Sequence, residues 1–295
     1  MDEGAPHDTA LTVDDSTDNK SEVTDSEACV SLHELLAVRE PSAPVVDHSS
    51  LRALFDVDVT FQSKVTALGH RSAHAASLNE VCANRAESLN WSVTRVGAVE
   101  IAALAVYVSF TNRNLIVLNL SGNQIGPIGC AMLGKALLTN NTLEVLDLSC
   151  CDLTGSPFRP NYDGVMALVK GLESKRSMLL HLNVANTALL PTGVRLISTS
   201  VAFHPSLTSL NISNNQAGLF RDKQGYLGIA NLLRYSPRLT SLDMALNPLE
   251  RNARPALVDA LQANCTLTTL NVARCALGKL DWSDQTTYQQ LRVLE

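Results

Sequence analysis

Leu115-Ile-Val-Leu-Asn-Leu-Ser-Gly-Asn-Gln-Ile125 sets apolar residues at positions 1, 4, 6 and 11 of an eleven-residue template and a small polar residue at position 9. The template returns at Leu143, Leu179, Leu207, Leu239 and Leu267. Of the 30 diagnostic slots in the six copies, 29 are met when Leu, Ile, Val or Met is allowed at the apolar positions and Asn, Cys or Thr at position 9; the one departure is Ala217. A repeat of this regularity decides the architecture before any single residue does.

A worn copy precedes these, with Ala86, Leu89, Trp91, Thr94 and Val96 in the template slots. Starts at 86, 115, 143, 179, 207, 239, 267 and 291 are separated by 29, 28, 36, 28, 32, 28 and 24 residues. A unit of 28 or 29 leaves room for a strand, two turns and a real helix. Gly126, Gly129, Leu133 and Leu137, then Gly193, Ile197 and Val201, then Leu257 and Leu261, carry the four-residue spacing of one buried helix face. Val96 to Phe110, the most apolar run, reads as a buried repeat helix and is too short to span a bilayer.

The expected fold is an α/β solenoid. Parallel strands stack about 4.8 Å apart whereas packed helices need about 8–10 Å, so the array curves with its strands on the concave face. The position-9 residues, Asn123, Cys151, Thr187, Asn215, Asn247 and Cys275, are expected to satisfy backbone groups where each strand turns inward. Trp91, standing where a core leucine would be, reads as a packing plug.

The run LNLSGNQIGPIGCAMLGKALLTNNTLEVLDLSCCDL, residues 118–153, resembles the ribonuclease-inhibitor-like class of leucine-rich repeats (LRR), with its LxxLxLxxN/CxL strand segment and GxxxLxxxL helix. The likeness covers about residues 86–295. It implies a horseshoe that binds another protein along its concave face or loop edges. The class also includes the Ran GTPase activator, so activation of a small GTPase is the competing expectation.

Charge divides the chain. Residues 1–50 hold 12 acids and 2 bases, and the remaining 245 hold 17 acids and 21 bases. The first 50 are also poor in large apolar residues and read as a disordered acidic tail. Within it, Ser31 to Arg39 has the pattern of a short docking helix, and Thr12 to Asp15 and Thr24 to Glu27 resemble acidophilic kinase sites. Residues 51–85 read as a mainly helical cap, with Leu51, Leu54 and Phe55 facing the first repeat. The near-balanced body lacks the basic stripe of a nucleic-acid-binding protein.

Seven cysteines without CxxC spacing argue against a disulfide framework or structural zinc and for a reducing, cytoplasmic setting. The acidic N-terminus is not that of a signal peptide. His70 and His74 have a helical metal-ligand spacing but no second half-site. No nucleophile elbow, Walker loop, HExxH or kinase signature occurs, so the expectation is a non-enzymatic scaffold without cofactor or metal.

Strand alternation puts template positions 3, 5 and 7 on the concave face. Position 5 reads Asn90, Asn119, Asp147, Asn183, Asn211, Asp243 and Asn271, and His181 stands at position 3. This polar row is one expected contact surface for a protein partner. The two over-long units supply the other, through insertions at 155–164, with Phe158, Arg159 and Tyr162, and at 218–225, with Phe220, Arg221 and Lys223. Both fall between strand and helix, on one rim, where insertions in repeat proteins form loops used in binding. Their bases also complement the acidic tail, which sets up an intramolecular contact competing with an acidic partner. The chain stops inside a repeat, at Leu291-Arg-Val-Leu-Glu295, which is the expectation for a truncated chain or a covered edge.

Overall fold

The computed structural model describes residues 74–110, 113–278 and 292–294. The acidic tail with its helix at 31–39, the cap residues Leu51, Leu54 and Phe55, and His70 lie outside the described residues.

Helix and strand alternate as the repeat dictates. The order is α1 (His74–Cys82), β1 (Ser88–Asn90), α2 (Ala98–Phe110), β2 (Val117–Asn119), α3 (Gly126–Thr139), β3 (Val145–Asp147), a short β4 (Gly155–Ser156) and β5 (Arg159–Pro160), and α4 (Asp163–Leu172). There follow β6 (His181–Asn183), α5 (Leu190–Val201), β7 (Ser209–Asn211), α6 (Gln224–Tyr235), β8 (Ser241–Asp243), α7 (Arg254–Ala263), β9 (Thr269–Asn271) and β10 (Arg292–Leu294). One eight-stranded sheet runs β1-β2-β3-β6-β7-β8-β9-β10, all parallel, and β4 pairs antiparallel with β5 alone. The strands form the concave face of the curved leucine-rich-repeat solenoid and the helices its convex face. The final strand segment, at Arg292–Leu294, is paired with β9 like the others.

Register follows the template without a slip: Leu89, Leu118, Leu146, Leu182, Leu210, Leu242 and Leu270 oppose one another in turn. These position-4 leucines are 1–3% exposed, while the residues on either side of each reach the surface. A one-residue slip would bring every leucine into solvent, which is why the period pins the pairing.

Behind the sheet, the buried helix residues are those at four-residue spacing, among them Leu133 and Leu137, Val165, Leu168 and Leu172, Ile197 and Val201, Leu257 and Leu261. In α2, Ile101, Leu104, Tyr107 and Val108 are buried. Pro127, Pro191 and Pro255 stand in the first turns of α3, α5 and α7, where a missing N–H costs nothing and a fixed φ favours the start. Helices α3 and α4 touch through their backbones: a Cβ on Gly134 would lie 2.3 Å from the Ala167 carbonyl, and one on Gly171 2.4 Å from the Gly134 oxygen. No described helix is long and apolar enough to cross a membrane.

Trp91 is the plug its position suggests. It is buried, its Nε1 donates to Ser77 Oγ of α1 at 2.8 Å, and the ring of His74 meets it edge-on at 5.1 Å. His74 Nε2 also lies 3.1 Å from the Thr94 carbonyl oxygen.

A second row of polar side chains stands where helices hand over to strands, three residues before Leu143, Leu207, Leu239 and Leu267. Asn140 Oδ1 accepts from the N–H groups of Thr142 and Leu143 while its Nδ2 donates to the Val108 carbonyl of the preceding unit. Asn264 does the same for Thr266 and Leu267 and donates to Leu233. Ahead of Leu207, His204 takes the role: Nδ1 accepts from Ser206 N at 3.3 Å and Leu207 N at 3.0 Å. Those two donors leave the ring proton on Nε2, which donates to Ser177 Oγ at 3.0 Å. Burial holds the His204 pKa down at about 4.

Candidate functional site

The strand face is built from short side chains whose oxygens are already engaged. At every position-5 residue from Asn90 to Asn271 the side-chain oxygen accepts the backbone N–H two residues on, closing the turn that leaves the strand. Asp147 is occupied at both oxygens, taking Ser149 N and Oγ on one and Asn183 Nδ2 on the other. The row of Asn119, Asp147, Asn183, Asn211, Asp243 and Asn271 therefore shapes the array first. What it offers a partner is the outward half of each group, together with exposed His181.

One step further along each turn the backbone is left-handed, at Val93, Gly122, Cys150, Asn186, Asn214, Leu246 and Arg274. From Val93 to Leu246, the N–H at this position donates to a carbonyl of the next repeat. The strained φ is thus held by inter-repeat bonds.

Position 9 then plugs the turn. Asn215 Oδ1 accepts from Thr187 N and Leu189 N, and its Nδ2 donates to the carbonyls of Val184 and Ile212. Asn123 and Asn247 repeat the pattern one unit back each time, so each asparagine serves backbone groups of two repeats. Thr187 and the two cysteines do less: Thr187 Oγ1 donates to Val184 O, Cys151 Sγ to Leu120 O and Cys275 Sγ to Met244 O. Burial pushes both thiols up to about 11, against the lowering effect of N–H groups that face them. A thiol so protonated is a ladder rung, not a nucleophile.

On the rim where strands pass to helices, the two insertions differ in build. The first folds as a hairpin, β4 and β5, with Phe158 93% exposed near its tip. The second is a single 3-10 turn, Leu219–Arg221, in which Phe220 sits at φ 57, ψ 22 and is 92% exposed. Gly218 precedes it because a Cβ there would fall 2.0 Å from the Pro248 carbonyl oxygen of the next repeat. Gly225 approaches the Ala217 carbonyl as closely, 2.0 Å from a built Cβ. The helix thus closes onto position 11 of this repeat, leaving space for alanine where the template has a larger residue.

Two of the sequence expectations for this rim change. Tyr162 is not a free loop side chain: it is half-buried, packs beside Gly193, and its hydroxyl is hydrogen-bonded by the Thr192 side chain. Burial raises its pKa, and the nearby charge of Asp222 adds to the rise. It therefore ties the first insertion to the start of α5. Arg221 is engaged by Glu250 at 3.4 Å, so the second loop is less basic than its sequence suggests. Arg159 and Lys223 remain exposed, and Lys223 follows Asp222 directly in sequence.

Sequence reasoning missed Glu250, because its partner lies 29 residues earlier in another repeat. It also missed the row at the helix ends. The signal was there, an Asn, His or Ser three residues ahead of Leu143, Leu207, Leu239 and Leu267, but the residue types differ. Among the described residues no group of three or more His, Cys, Asp and Glu side chains is placed to hold a metal.

Comparison with known proteins agrees with this geometry. The Leucine Rich repeat family model matches residues 111–134, 139–156 and 263–279. Curated relatives include human NACHT, LRR and PYD domains-containing protein 5, 32% identical over 170 residues, or 57% of this chain and 13% of that protein. Human NACHT, LRR and PYD domains-containing protein 14 is 33% identical over 171 residues, 57% of this chain and 15% of that protein. The chain thus spans only a small part of these relatives' length. Among solved structures, the Caenorhabditis elegans tropomodulin C-terminal domain aligns with 65% of this chain and 93% of its own at 16% identity and a TM-score of 0.40. Leiomodin-1 actin-binding site 2 aligns with 65% of this chain and 90% of its own at 14% identity and a TM-score of 0.41. By its template, its register and the matched segments, the chain is built of leucine-rich repeats, and over them it is similar to the NACHT, LRR and PYD domains-containing proteins.

Proposed function

We propose that the chain is a non-enzymatic protein-interaction scaffold that works inside the cell and holds its partner across the insertion rim and the adjoining strand face. The observation that carries this reading is the pair Phe158 and Phe220, 93% and 92% exposed at the tips of two segments that the repeat itself does not require. An exposed phenylalanine on a left-handed residue contributes nothing to the core and strains the backbone, a combination that persists where a surface has a use. Arg159 and Lys223 flank the rings and fit the polar edge of such an interface. The intracellular setting is supported by free thiols at Cys130, Cys150, Cys151, Cys265 and Cys275.

The experiment is affinity capture with the full chain and with the F158A/F220A variant, followed by mass spectrometry. A partner retained by the first and lost by the second supports the reading, and a partner set unchanged by the variant contradicts it. Ran-type GTPase activation is the competing reading. A single-turnover GTP hydrolysis assay across a panel of small GTPases separates the two, because acceleration by the protein is incompatible with a pure scaffold.

A further inference from the structure

On the rim opposite the insertions, where helices hand over to strands, two rings stand in solvent. Phe203, in the turn after α5, is 72% exposed, and Tyr235, the last residue of α6, is 52% exposed. They belong to adjacent repeats and stack, centroids 6.0 Å apart and planes at 23°. The equivalent residues four before Leu143, Leu179 and Leu267 are Thr139, Lys175 and Ala263, so the rings are not part of the repeat's own requirement. One repeat back along the rim stands Met178, 51% exposed, in a hollow that Glu87, Arg113 and Glu144 also line.

The rings are bordered by cations. Lys175 and Arg176 lie in the turn before Met178 and Arg238 in the turn after Tyr235, all exposed, with Glu173 the one acid in these turns. Among the described residues the ion pairs are Arg85–Glu80, Arg221–Glu250 and Arg234–Asp259, so these three bases are in none. They sit at helix C-termini, where the macrodipole favours a cation without neutralising it. Three bases are too few for a phosphate backbone, whose binding typically takes about 6–10 contacts. They are enough for the carboxylates on either side of one apolar anchor.

We infer that this rim is a docking edge for an acidic peptide segment carrying one large apolar side chain. The Phe203–Tyr235 pair receives that side chain, and Lys175, Arg176 and Arg238 take the flanking carboxylates. The edge is separate from the insertion rim, which lies at the other end of every strand. The chain then holds two partners at once.

Selection from a library of random dodecapeptides displayed on phage, against the full chain, tests this directly. The expected winners carry Asp or Glu on both sides of a Phe, Trp or Leu. A synthetic peptide of the winning sequence should bind at least about tenfold more weakly to F203S/Y235S and to K175E/R176E/R238E, and unchanged to F158A/F220A. All the replaced residues are exposed, and thermal melts confirm that each variant folds. The assignment is overturned if no acidic, apolar-anchored class emerges, if the winner binds the two rim variants as well as it binds wild type, or if F158A/F220A is the variant that loses it. It is also overturned in favour of self-association if sedimentation shows a dimer that F203S/Y235S dissociates.

Discussion

Asn247 Oδ1 accepts the backbone N–H of Asn215 at 3.0 Å, so one rung of the position-9 ladder fixes the next. The Asn215 side chain, held in this way, serves Thr187 and Leu189 of the repeat before it. The coupling between repeats is therefore polar as well as apolar, and it runs through a few buried amides.

Asn247→Ala leaves the buried N–H groups of Asn215 and Ala217 without an acceptor, while the Ile212 and Met244 carbonyls keep Asn215 Nδ2 and Cys275 Sγ as donors. Each buried group so orphaned costs on the order of 1–3 kcal/mol, less whatever water recovers, so a loss of about 3 kcal/mol or more is expected. Cys275→Ala removes one weak thiol bond and should cost about 1–2 kcal/mol, mostly from packing. Urea denaturation of the two variants checks the ranking.

His204 supplies a pH dependence. Its folded pKa, about 4, lies below the ordinary histidine value, so the unfolded state binds the proton first as pH falls. Stability from this residue is fully present above about pH 7 and declines through the window between about 6.5 and 4, by up to about 3 kcal/mol. His204→Asn keeps the capping geometry that Asn140 and Asn264 use and should flatten that decline. Equal slopes for both proteins between pH 7 and 4.5 would contradict the assignment.

Thiol reactivity should divide by burial. Site-resolved alkylation with iodoacetamide at mildly alkaline pH should label Cys150 and Cys265 quickly. Cys130, Cys151 and Cys275 are expected to react only on unfolding, because burial raises all three.

The repeat, its register and its helix faces were legible because one period governs all of them. A buried leucine every turn leaves strand pairing no alternative. The position-9 ladder was legible for the same reason, but not the lesser contribution of threonine and cysteine. The helix-end row escaped because Asn140, His204, Ser236 and Asn264 share a bonding role and not a residue type. The insertions were visible as extra length, but not their internal order. That Tyr162 turns inward onto Thr192 and Arg221 reaches Glu250 depends on contacts between repeats, which no local pattern encodes.

Phe220→Gly separates stability from binding. The ring is 92% exposed and its φ is 57, so glycine relieves strain and loses little packing. Relief of strain opposes the added freedom of the unfolded chain, and the net change should lie within about 1 kcal/mol of zero. Gly218→Ala, by contrast, forces a methyl against the Pro248 carbonyl and should destabilise by about 2 kcal/mol or more. Thermal melts of the two single variants measure both effects.

Isothermal titration of the captured partner into wild-type protein and into F158A/F220A tests the scaffold account most directly. The account predicts at least about a tenfold loss of affinity in the variant, with an unchanged circular dichroism spectrum and melting temperature. Equal affinity for the two proteins would show that the insertion rim is not where the partner binds.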